Sequence, residues 1–189
     1  MRIVLASQSP RRKMLLGGAG FSFDICSPEV EEVEDGMYAC HIPLVNAVRK
    51  AAAVSGMFPG SLVIGADTAI ECDGLLIGKP CGLEDARRTL MMLSGRRHRV
   101  ITGVALLARQ WNLETTFSEE SFVYFKPFGD AVVNDYLARV EVLDKAGSYN
   151  IAESGELLIS RIEGPRDNII GLPCEKLSRA IQAAASLMG

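Results

Sequence analysis

A short segment near the N-terminus carries the residue types that bind phosphate. An apolar run leads into a hydroxyl-bearing loop, Ser7 to Ser9, which is followed by Pro10, Arg11 and Arg12. Ser9 is a favourable N-cap and Pro10 suits the first helical position, so we predict a helix that begins at Pro10. Two arginines in a first turn oppose the helix macrodipole unless an anion binds beside them. The segment therefore predicts a phosphate site at a helix N-terminus.

Two further residues could take part in chemistry on a phosphate. Asp67 directly follows the apolar run 62–66, which places it at the expected C-terminal end of a buried strand, where open α/β sheets bind ligands. Lys79 lies between Gly78 and Pro80, in a loop that lets the backbone approach a ligand. The alternatives are a turn aspartate that caps the next segment and a loop lysine that faces water.

Carboxylates and one more cation complete the set. Glu31 and Glu32 lie in an acidic loop, and Mg²⁺ prefers carboxylate and phosphate oxygens as ligands. Lys50 lies on a predicted helix, 43–55, where it either points into a cleft or extends to solvent. A solvated acidic loop is the alternative for the two glutamates. Together these residues offer cations for a polyphosphate and carboxylates for a metal and a water, as phosphoryl chemistry requires.

The elements that must position these residues alternate between strands and helices. We predict a mixed sheet flanked by helices, an α/β fold with two lobes and a central cleft, formed by one domain over 1–189. Residues 14 and 15 are expected to face inward from the first helix. Strands are predicted over 2–6, 21–25, 62–66, 70–77 (a hairpin), 100–108, 115–126 and 157–162, and helices from residue 10 to the glycines at 17–20 and over 43–55, 83–93, 131–140 and 173–187, with a loop through 168.

Composition excludes several classes of function. The formal net charge of -3 argues against nonspecific nucleic-acid binding, and no apolar run is long enough to span a membrane. Five cysteines without a C-x-x-C pair are typical of reduced thiols, and the chain begins with a strand rather than a signal peptide, so we expect a cytoplasmic protein. Only two histidines are present, which gives little support to a zinc site or a Ser-His-Asp triad. The chain also lacks the P-loop and dinucleotide-binding glycine motifs.

Six motifs that occur in order make the chain resemble a known family. They are Leu5-Ala6-Ser7-x-Ser9-Pro10-Arg11-Arg12, Gly65-Ala66-Asp67-Thr68, Gly78-Lys79-Pro80, Leu93-Ser94-Gly95-x-x-His98-x-Val100-x-Thr102-Gly103-Val104, Asp144-Lys145-Ala146-Gly147-x-Tyr149 and Asn168-x-x-Gly171-Leu172-Pro173. Together they resemble the Maf family of nucleoside triphosphate pyrophosphatases, also called septum-formation inhibitor proteins.

The resemblance implies an activity and a set of roles. The activity is hydrolysis of a nucleoside triphosphate to its monophosphate and pyrophosphate with Mg²⁺ or Mn²⁺, on an elongated mixed sheet related to that of the inosine triphosphate pyrophosphatases, commonly in a homodimer. By position, Asp67 matches the general base and a metal contact, and Glu32 matches the acidic residue at the metal. The residues that match phosphate ligands are Ser7, Arg11, Arg12, Lys50 and Lys79. A nucleotide-binding regulator of septum formation with little turnover is the alternative of another class.

The branch of the family is indicated by three positions. Arg11 and Thr68 resemble the dTTP/UTP branch, because the 7-methyl-GTP branch has Trp and Gln there. The third position departs from the pyrimidine branch. That branch usually reads Tyr-Gly-Ile-Gln, whereas this chain reads Tyr149-Asn150-Ile151-Ala152, with alanine in place of the glutamine. Ala152 cannot hydrogen-bond a base, so Glu153 substitutes for the glutamine, or another base or a broader range is preferred.

A second departure lies around Lys50. The family often reads Leu-Ala-x-Glu-Lys-Ala there, and this chain has Asn46 and Arg49 in place of the leucine and the glutamate. The loss of the glutamate is expected to weaken local pairing without affecting the chemistry. Asn168 precedes Gly171 in a loop expected near the base, although Asn is also an ordinary turn residue.

Overall fold

A single sheet runs through the computed structural model, which describes residues 1–33 and 40–189. Within those residues the sheet has seven strands in the order β2-β1-β3-β5-β6-β7, with β4 paired to β3. β1 is parallel to β2 and β3, and the other pairings are antiparallel. The strands are β1 (Ile3–Ala6), β2 (Asp24–Ile25), β3 (Leu62–Cys72), β4 (Leu75–Ile77), β5 (Arg97–Ala108), β6 (Leu113–Phe125) and β7 (Ile159–Glu163).

Helices cover both faces of this sheet. They are α1 (Pro10–Gly18), α2 (Ile42–Ser55), α3 (Leu83–Leu93), α4 (Asp130–Arg139), α5 (Gly155–Leu158), α6 (Arg166–Ile170) and α7 (Cys174–Met188), with short 3₁₀ turns at Arg109–Trp111 and Ala146–Ser148. No helix in the described part of the chain has the length and apolar composition needed to cross a membrane.

The long strands divide the molecule into two lobes. β3 has 11 residues and therefore extends about 35 Å. Its first half packs in one lobe, with Ile64 against α1 and α7 and Val63 against α2. Its second half belongs to the other lobe, where Ile70 packs in one cluster with α3 and α4. The predicted two-lobed α/β fold is therefore confirmed, and the middle of β3 lies between the lobes.

The course of β3 corrects one prediction. The sequence predicts that Asp67 and Thr68 end the strand, but β3 continues through both residues to Cys72. β3 pairs with β5 from Val63 to Glu71, and this pairing continues through Asp67, which lies opposite Gly103. The pairing partner is distant in the sequence, so the apolar pattern of 62–66 does not reveal the extension. Asp67 lies in the middle of a strand, at the junction of the two lobes.

Other local predictions were wrong in part. The predicted strand 21–25 is reduced to Asp24–Ile25, because Phe21 and Phe23 pack against the core rather than pair with β1. In α1, Met14 is exposed and Leu16 is buried instead, since Leu16 lies one turn after Arg12 on the face that meets the sheet.

Two short helices were not predicted. The helix α5 takes the place of the start of the predicted strand 157–162, and α6 takes the place of part of the predicted loop through residue 168. The acidic loop 29–36 lacks regular structure over 29–33, and 34–36 lies outside the described residues.

A buried histidine lies in the second lobe. His98 on β5 shares a hydrogen bond of 2.8 Å with the hydroxyl of Tyr149, and its ring meets Phe125 edge-on. Burial lowers the pKa of His98 to about 4. The folded protein therefore holds this histidine neutral under conditions in which an unfolded chain protonates it.

This burial predicts a loss of stability in mild acid. Because the folded pKa lies below the unfolded value of about 6.5, the contribution of His98 is complete above pH ~6.5 and is lost as the pH falls toward about 4. We expect the free energy of unfolding in urea to fall by about 2 kcal/mol from pH 7 to pH 5 through this group. His98→Gln should flatten that dependence, and the control His41→Gln, at an exposed position, should leave it in place. Equal pH dependence in His98→Gln and the parent protein would contradict the prediction.

Candidate active site

The loop between β1 and α1 folds as its residue types predict. Ser9 caps the helix, because its hydroxyl accepts a hydrogen bond of 3.4 Å from the amide of Arg12. The Ser7 hydroxyl accepts a second bond, of 3.2 Å, from the amide of Ser9. Pro10 opens the helix without needing a hydrogen-bond partner for its nitrogen. The predicted helix start is thus confirmed, and it orients the two following arginines.

Arg12 is held by three elements at once. Its guanidinium donates to the carbonyl of Gly171 at 3.0 Å, to the hydroxyl of Thr68 at 3.1 Å and to that of Ser7 at 3.5 Å. Burial lowers the pKa of Arg12, but an arginine retains its charge in proteins. The nearby charges of Asp67 and Glu32 favour the charged form as well. Arg12 is therefore a fixed cation close to the two acids.

A buried chain of hydrogen bonds supports Thr68. Its hydroxyl lies 3.0 Å from that of Thr102 on β5, which donates to the carbonyl of Asn168 at 3.0 Å. The Asn168 amide donates in turn to the carbonyl of Val100 and to the hydroxyl of Ser121. The chain anchors α6 on the sheet and so places the carbonyl of Gly171 beside Arg12. Composition alone does not identify these residues as part of the site. Thr102 and Asn168 lie in two of the six motifs of the sequence, and those motifs were the evidence for them.

Lys50 joins the two acidic residues that the sequence singled out. Its ammonium lies 2.6 Å from Oδ1 of Asp67 and 2.7 Å from Oε1 of Glu32. The Lys50 side chain is almost fully buried, as is that of Asp67, whereas Glu32 is half exposed. Of the two alternatives for Lys50, the structure supports the one that points into the cleft.

The carboxyl of Glu32 is ionised in this arrangement. Partial burial alone would raise its pKa, but the hydrogen bond and charge of Lys50, together with the charges of Lys79 and Arg12, lower it below the usual value. A carboxylate that remains charged is suited to bind a cation.

Two glycines set the position of Lys50. A Cβ on Gly65 would lie 2.2 Å from the carbonyl oxygen of Ala47, and one on Gly103 would lie 2.4 Å from the amide nitrogen of Leu44. Both contacts are with the backbone of α2, so any larger residue would push the helix away from β3 and β5. Glycine at these two places allows α2 to lie directly on the sheet, which brings Lys50 to Asp67.

Arg11 and Lys79 line the same cleft without being buried in it. Arg11 forms an ion pair of 3.2 Å with Asp144, a residue that also pairs with Lys145 at 2.6 Å. Burial raises the pKa of Asp144, but Lys145 and Arg11 outweigh that effect and lower it. Lys79 is exposed in the loop after β4. Besides Arg12, the cationic residues that line the cleft are Arg11, Lys50, Lys79 and Lys145.

The cleft has a volume of about 930 Å³, which is enough for a nucleotide. It brings together eight residues that the sequence identified, Ser7, Arg11, Arg12, Glu32, Lys50, Asp67, Thr68 and Lys79. Asn150 and Ile151 also line it, but the neighbouring Ala152 is exposed and is not among the lining residues. The role of Ala152 in specificity stays a prediction. Sequence reasoning missed Asn46, Asp144 and Lys145 as cleft residues.

Glu32 and Asp67 are the candidate carboxylate ligands for a divalent cation. Both contact the Lys50 nitrogen, which lies between them and holds them close together. Among residues 1–33 and 40–189, no group of three or more His, Cys, Asp or Glu side chains is arranged to hold a metal. A site with one or two carboxylates, completed by substrate phosphates and water, fits Mg²⁺.

Comparison with known sequences places this cleft in a family. The family model for Maf-like proteins matches residues 2–184. The chain belongs to the Maf-like protein family. It is 39% identical over 178 residues to the dTTP/UTP pyrophosphatase of Dictyoglomus thermophilum, with 93% of this chain and 92% of that protein covered. It is 40% identical over 180 residues to the protein of the same name from Akkermansia muciniphila, with 95% and 94% covered.

Solved structures show that the fold is shared more widely. The Ham1 protein of Staphylococcus aureus matches with a TM-score of 0.53 at 17% identity, covering 98% of this Maf-like chain and 100% of that one. The HAM1 protein of Coxiella burnetii matches with a TM-score of 0.56 at 15% identity, covering 97% and 99%. At this identity the likeness concerns the fold alone.

The close approach of α2 predicts the effect of adding one methyl group. Gly103→Ala should lower the free energy of unfolding in urea by about 1–3 kcal/mol, because the new Cβ collides with backbone that cannot move without shifting the helix. Gly18→Ala is the matched control, since a Cβ there meets nothing within 4 Å, and it should change stability by less than about 0.5 kcal/mol. Equal stability of the two variants would show that α2 is not held by this contact.

Proposed function

We propose that this Maf-like protein hydrolyses nucleoside triphosphates to nucleoside monophosphates and pyrophosphate. The observation that carries the proposal is the pair of acids, Asp67 and Glu32, held on Lys50 in a cleft that Arg11 and Arg12 also line. Hydrolysis at a phosphorus requires an oriented water and cations that neutralise developing charge, and the cleft offers carboxylates that can orient a water together with the cations. The names of the relatives, dTTP/UTP pyrophosphatases, support the same reaction.

Asp67 is the residue that we assign as general base. It lies in the middle of β3, where Lys50 and Asn46 each contact one of its carboxylate oxygens. A carboxylate held in this way can orient a water and accept its proton as the water attacks the α-phosphorus. The strand fixes its position relative to Thr68 and Arg12.

The cations have the complementary role of holding the phosphates. Arg12 is rigid because three acceptors hold it, whereas Arg11 and Lys79 are accessible at the cleft wall. We propose that these side chains bind the β- and γ-phosphates and stabilise the pyrophosphate as it leaves. Lys50 can bind the phosphates once its partner carboxylates are engaged, and the Ser7 hydroxyl adds a donor in the loop.

Glu32 and Asp67 are the residues that would hold Mg²⁺ or Mn²⁺. Such an ion neutralises phosphate charge and lowers the pKa of a bound water when it is present. Glu32 lines the cleft and is half exposed to solvent. An ion that enters bound to the substrate phosphates therefore has access to it.

The triphosphate reaction is tested with a substrate panel. Purified protein should release pyrophosphate from dTTP and UTP in the presence of Mg²⁺ or Mn²⁺. Asp67→Asn should lose a factor of at least about 100 in kcat, because the general base is removed while the side chain keeps its size. Asp73→Asn is the control, an exposed turn residue with φ of 53°, a conformation that asparagine adopts readily.

Two results would overturn the assignment. Full activity in Asp67→Asn would remove Asp67 from the chemistry. Absence of pyrophosphate from every triphosphate, combined with tight nucleotide binding, would replace the enzyme by a nucleotide-binding regulator.

Base preference is the finer part of the proposal. Arg11 and Thr68 favour pyrimidine triphosphates, and Ala152 lacks the glutamine that the pyrimidine branch usually has. We propose dTTP and UTP as the preferred substrates, with weaker discrimination among bases than a glutamine would give. A preference for 7-methyl-GTP or equal use of all bases would reject the pyrimidine assignment without affecting the reaction type.

Position 152 provides the test of that preference. Ala152→Gln introduces the glutamine of the pyrimidine branch next to Asn150 and Ile151, which line the cleft. We expect it to raise the ratio of kcat/KM for UTP over GTP by about tenfold, as one recovered hydrogen bond to a base would. Ala152→Leu adds similar bulk without an amide and should leave the ratio unchanged. An unchanged ratio in Ala152→Gln would show that another residue selects the base.

A further inference from the structure

Asn46 makes three hydrogen bonds in the cleft that neither the general base nor the phosphate ligands require. It lies on α2, is 2% exposed and uses its carboxamide in three hydrogen bonds. Its oxygen accepts from the amide of Val33 at 2.8 Å, and its nitrogen donates to the carbonyl of Val33 at 3.0 Å and to Oδ2 of Asp67 at 3.2 Å. Both N–H groups of the amide are therefore used, as is its oxygen.

These contacts complement those of Lys50. The two residues are one helical turn apart, so they share a face of α2. Lys50 holds Oδ1 of Asp67 and the side chain of Glu32, while Asn46 holds Oδ2 of Asp67 and the backbone of the residue after Glu32. One helix face thus fixes the distance between the two carboxylates.

Arg49 provides a second hold on the same segment. Its guanidinium donates to the carbonyl of Glu31 at 3.2 Å, so the residues on both sides of Glu32 are bonded to α2. Asn46 and Arg49 are also the two positions around Lys50 at which this chain departs from the Leu-Ala-x-Glu-Lys-Ala pattern. A leucine in place of Asn46 would have no polar group, and a glutamate in place of Arg49 could not donate. In this chain both positions connect α2 to residues 31–33.

We propose that Asn46 is a positioning residue that holds the acidic loop and Asp67 together, so that Glu32 and Asp67 are arranged for a divalent cation before substrate binds. Arg49 reinforces this hold at the surface. The inference rests on the proposed function, because it concerns the same pair of carboxylates. Partners of this kind, which contact ligating groups rather than the ion, commonly change metal affinity by about 10–100-fold when they are removed.

The test measures Mn²⁺ binding in the absence of nucleotide, by electron paramagnetic resonance of the free ion. Asn46→Leu, which preserves approximate volume, should weaken Mn²⁺ binding about tenfold and lower kcat, with KM for UTP changed less than kcat. Exchange of the Val33 amide with solvent should accelerate at the same time, since its acceptor is lost. A merely structural residue would lower the melting temperature without a selective effect on the ion.

A double-mutant cycle shows whether Asn46 acts through the carboxylates. In a Glu32→Gln background, Asn46→Leu should cost less Mn²⁺ affinity than it does in the parent protein, because one of the two carboxylates that it positions no longer binds the ion. Full additivity of the two effects would overturn the proposal.

A surface variant covers the case in which Asn46→Leu does not fold. Arg49→Met removes the exposed hold on Glu31 and should weaken Mn²⁺ binding about threefold. Arg179→Met has the same change of charge on α7, where the arginine pairs with Glu175, and should have no effect. Unchanged Mn²⁺ affinity in Asn46→Leu, or in Arg49→Met where Asn46→Leu does not fold, would overturn this inference alone. A parent protein that binds no Mn²⁺ would overturn the proposed cation site and this inference together.

Discussion

The contact of α2 with the sheet at Gly65 and Gly103 is the constraint on which the site depends. Without a Cβ at either place, the helix backbone approaches β3 and β5 closely enough for Lys50 to reach Asp67 at 2.6 Å. The same approach puts Asn46 on the other oxygen of that carboxylate. A helix displaced by even one methyl group would separate both contacts at once, so two small residues control the geometry of the acids.

The balance of charge in the cleft follows from this geometry. A buried ion pair gains little net stability over an apolar pair of the same shape, so Lys50 and Asp67 are better explained by function than by stability. Lys50 also forms an ion pair with Glu32, and one cation between two carboxylates leaves an excess of negative charge there. Arg12 is close enough for both acids to act on it. A polyphosphate accompanied by a divalent ion matches these neighbouring charges of opposite sign.

Local chemistry made part of this structure predictable. The Ser9 cap, the apolar strand before Asp67 and the Asp-Gly hairpin after it depend on neighbouring residues, and all three are confirmed. The second half of β3 was missed because it is stabilised by pairing with β5, which no local pattern records. Asn46 was missed as a cleft residue for a similar reason. Its partners, Val33 and Asp67, come together only when the helix, the loop and the sheet are packed.

The two arginines of the first helical turn show how neighbouring residues of one type can differ in function. Each nitrogen of the Arg12 guanidinium is bonded to the protein and the residue is buried, so moving it would break its hydrogen bonds to Gly171, Thr68 and Ser7. Among residues 1–33 and 40–189, Arg11 forms an ion pair with the exposed Asp144, and such exposed pairs contribute little free energy. An incoming phosphate can therefore replace Asp144 as the partner of Arg11 at a small cost in free energy. Arg12 keeps its contacts with the protein and can bind the phosphate only through an additional hydrogen bond. The fixed arginine defines where the phosphates bind, and the exchangeable one adapts to their arrival.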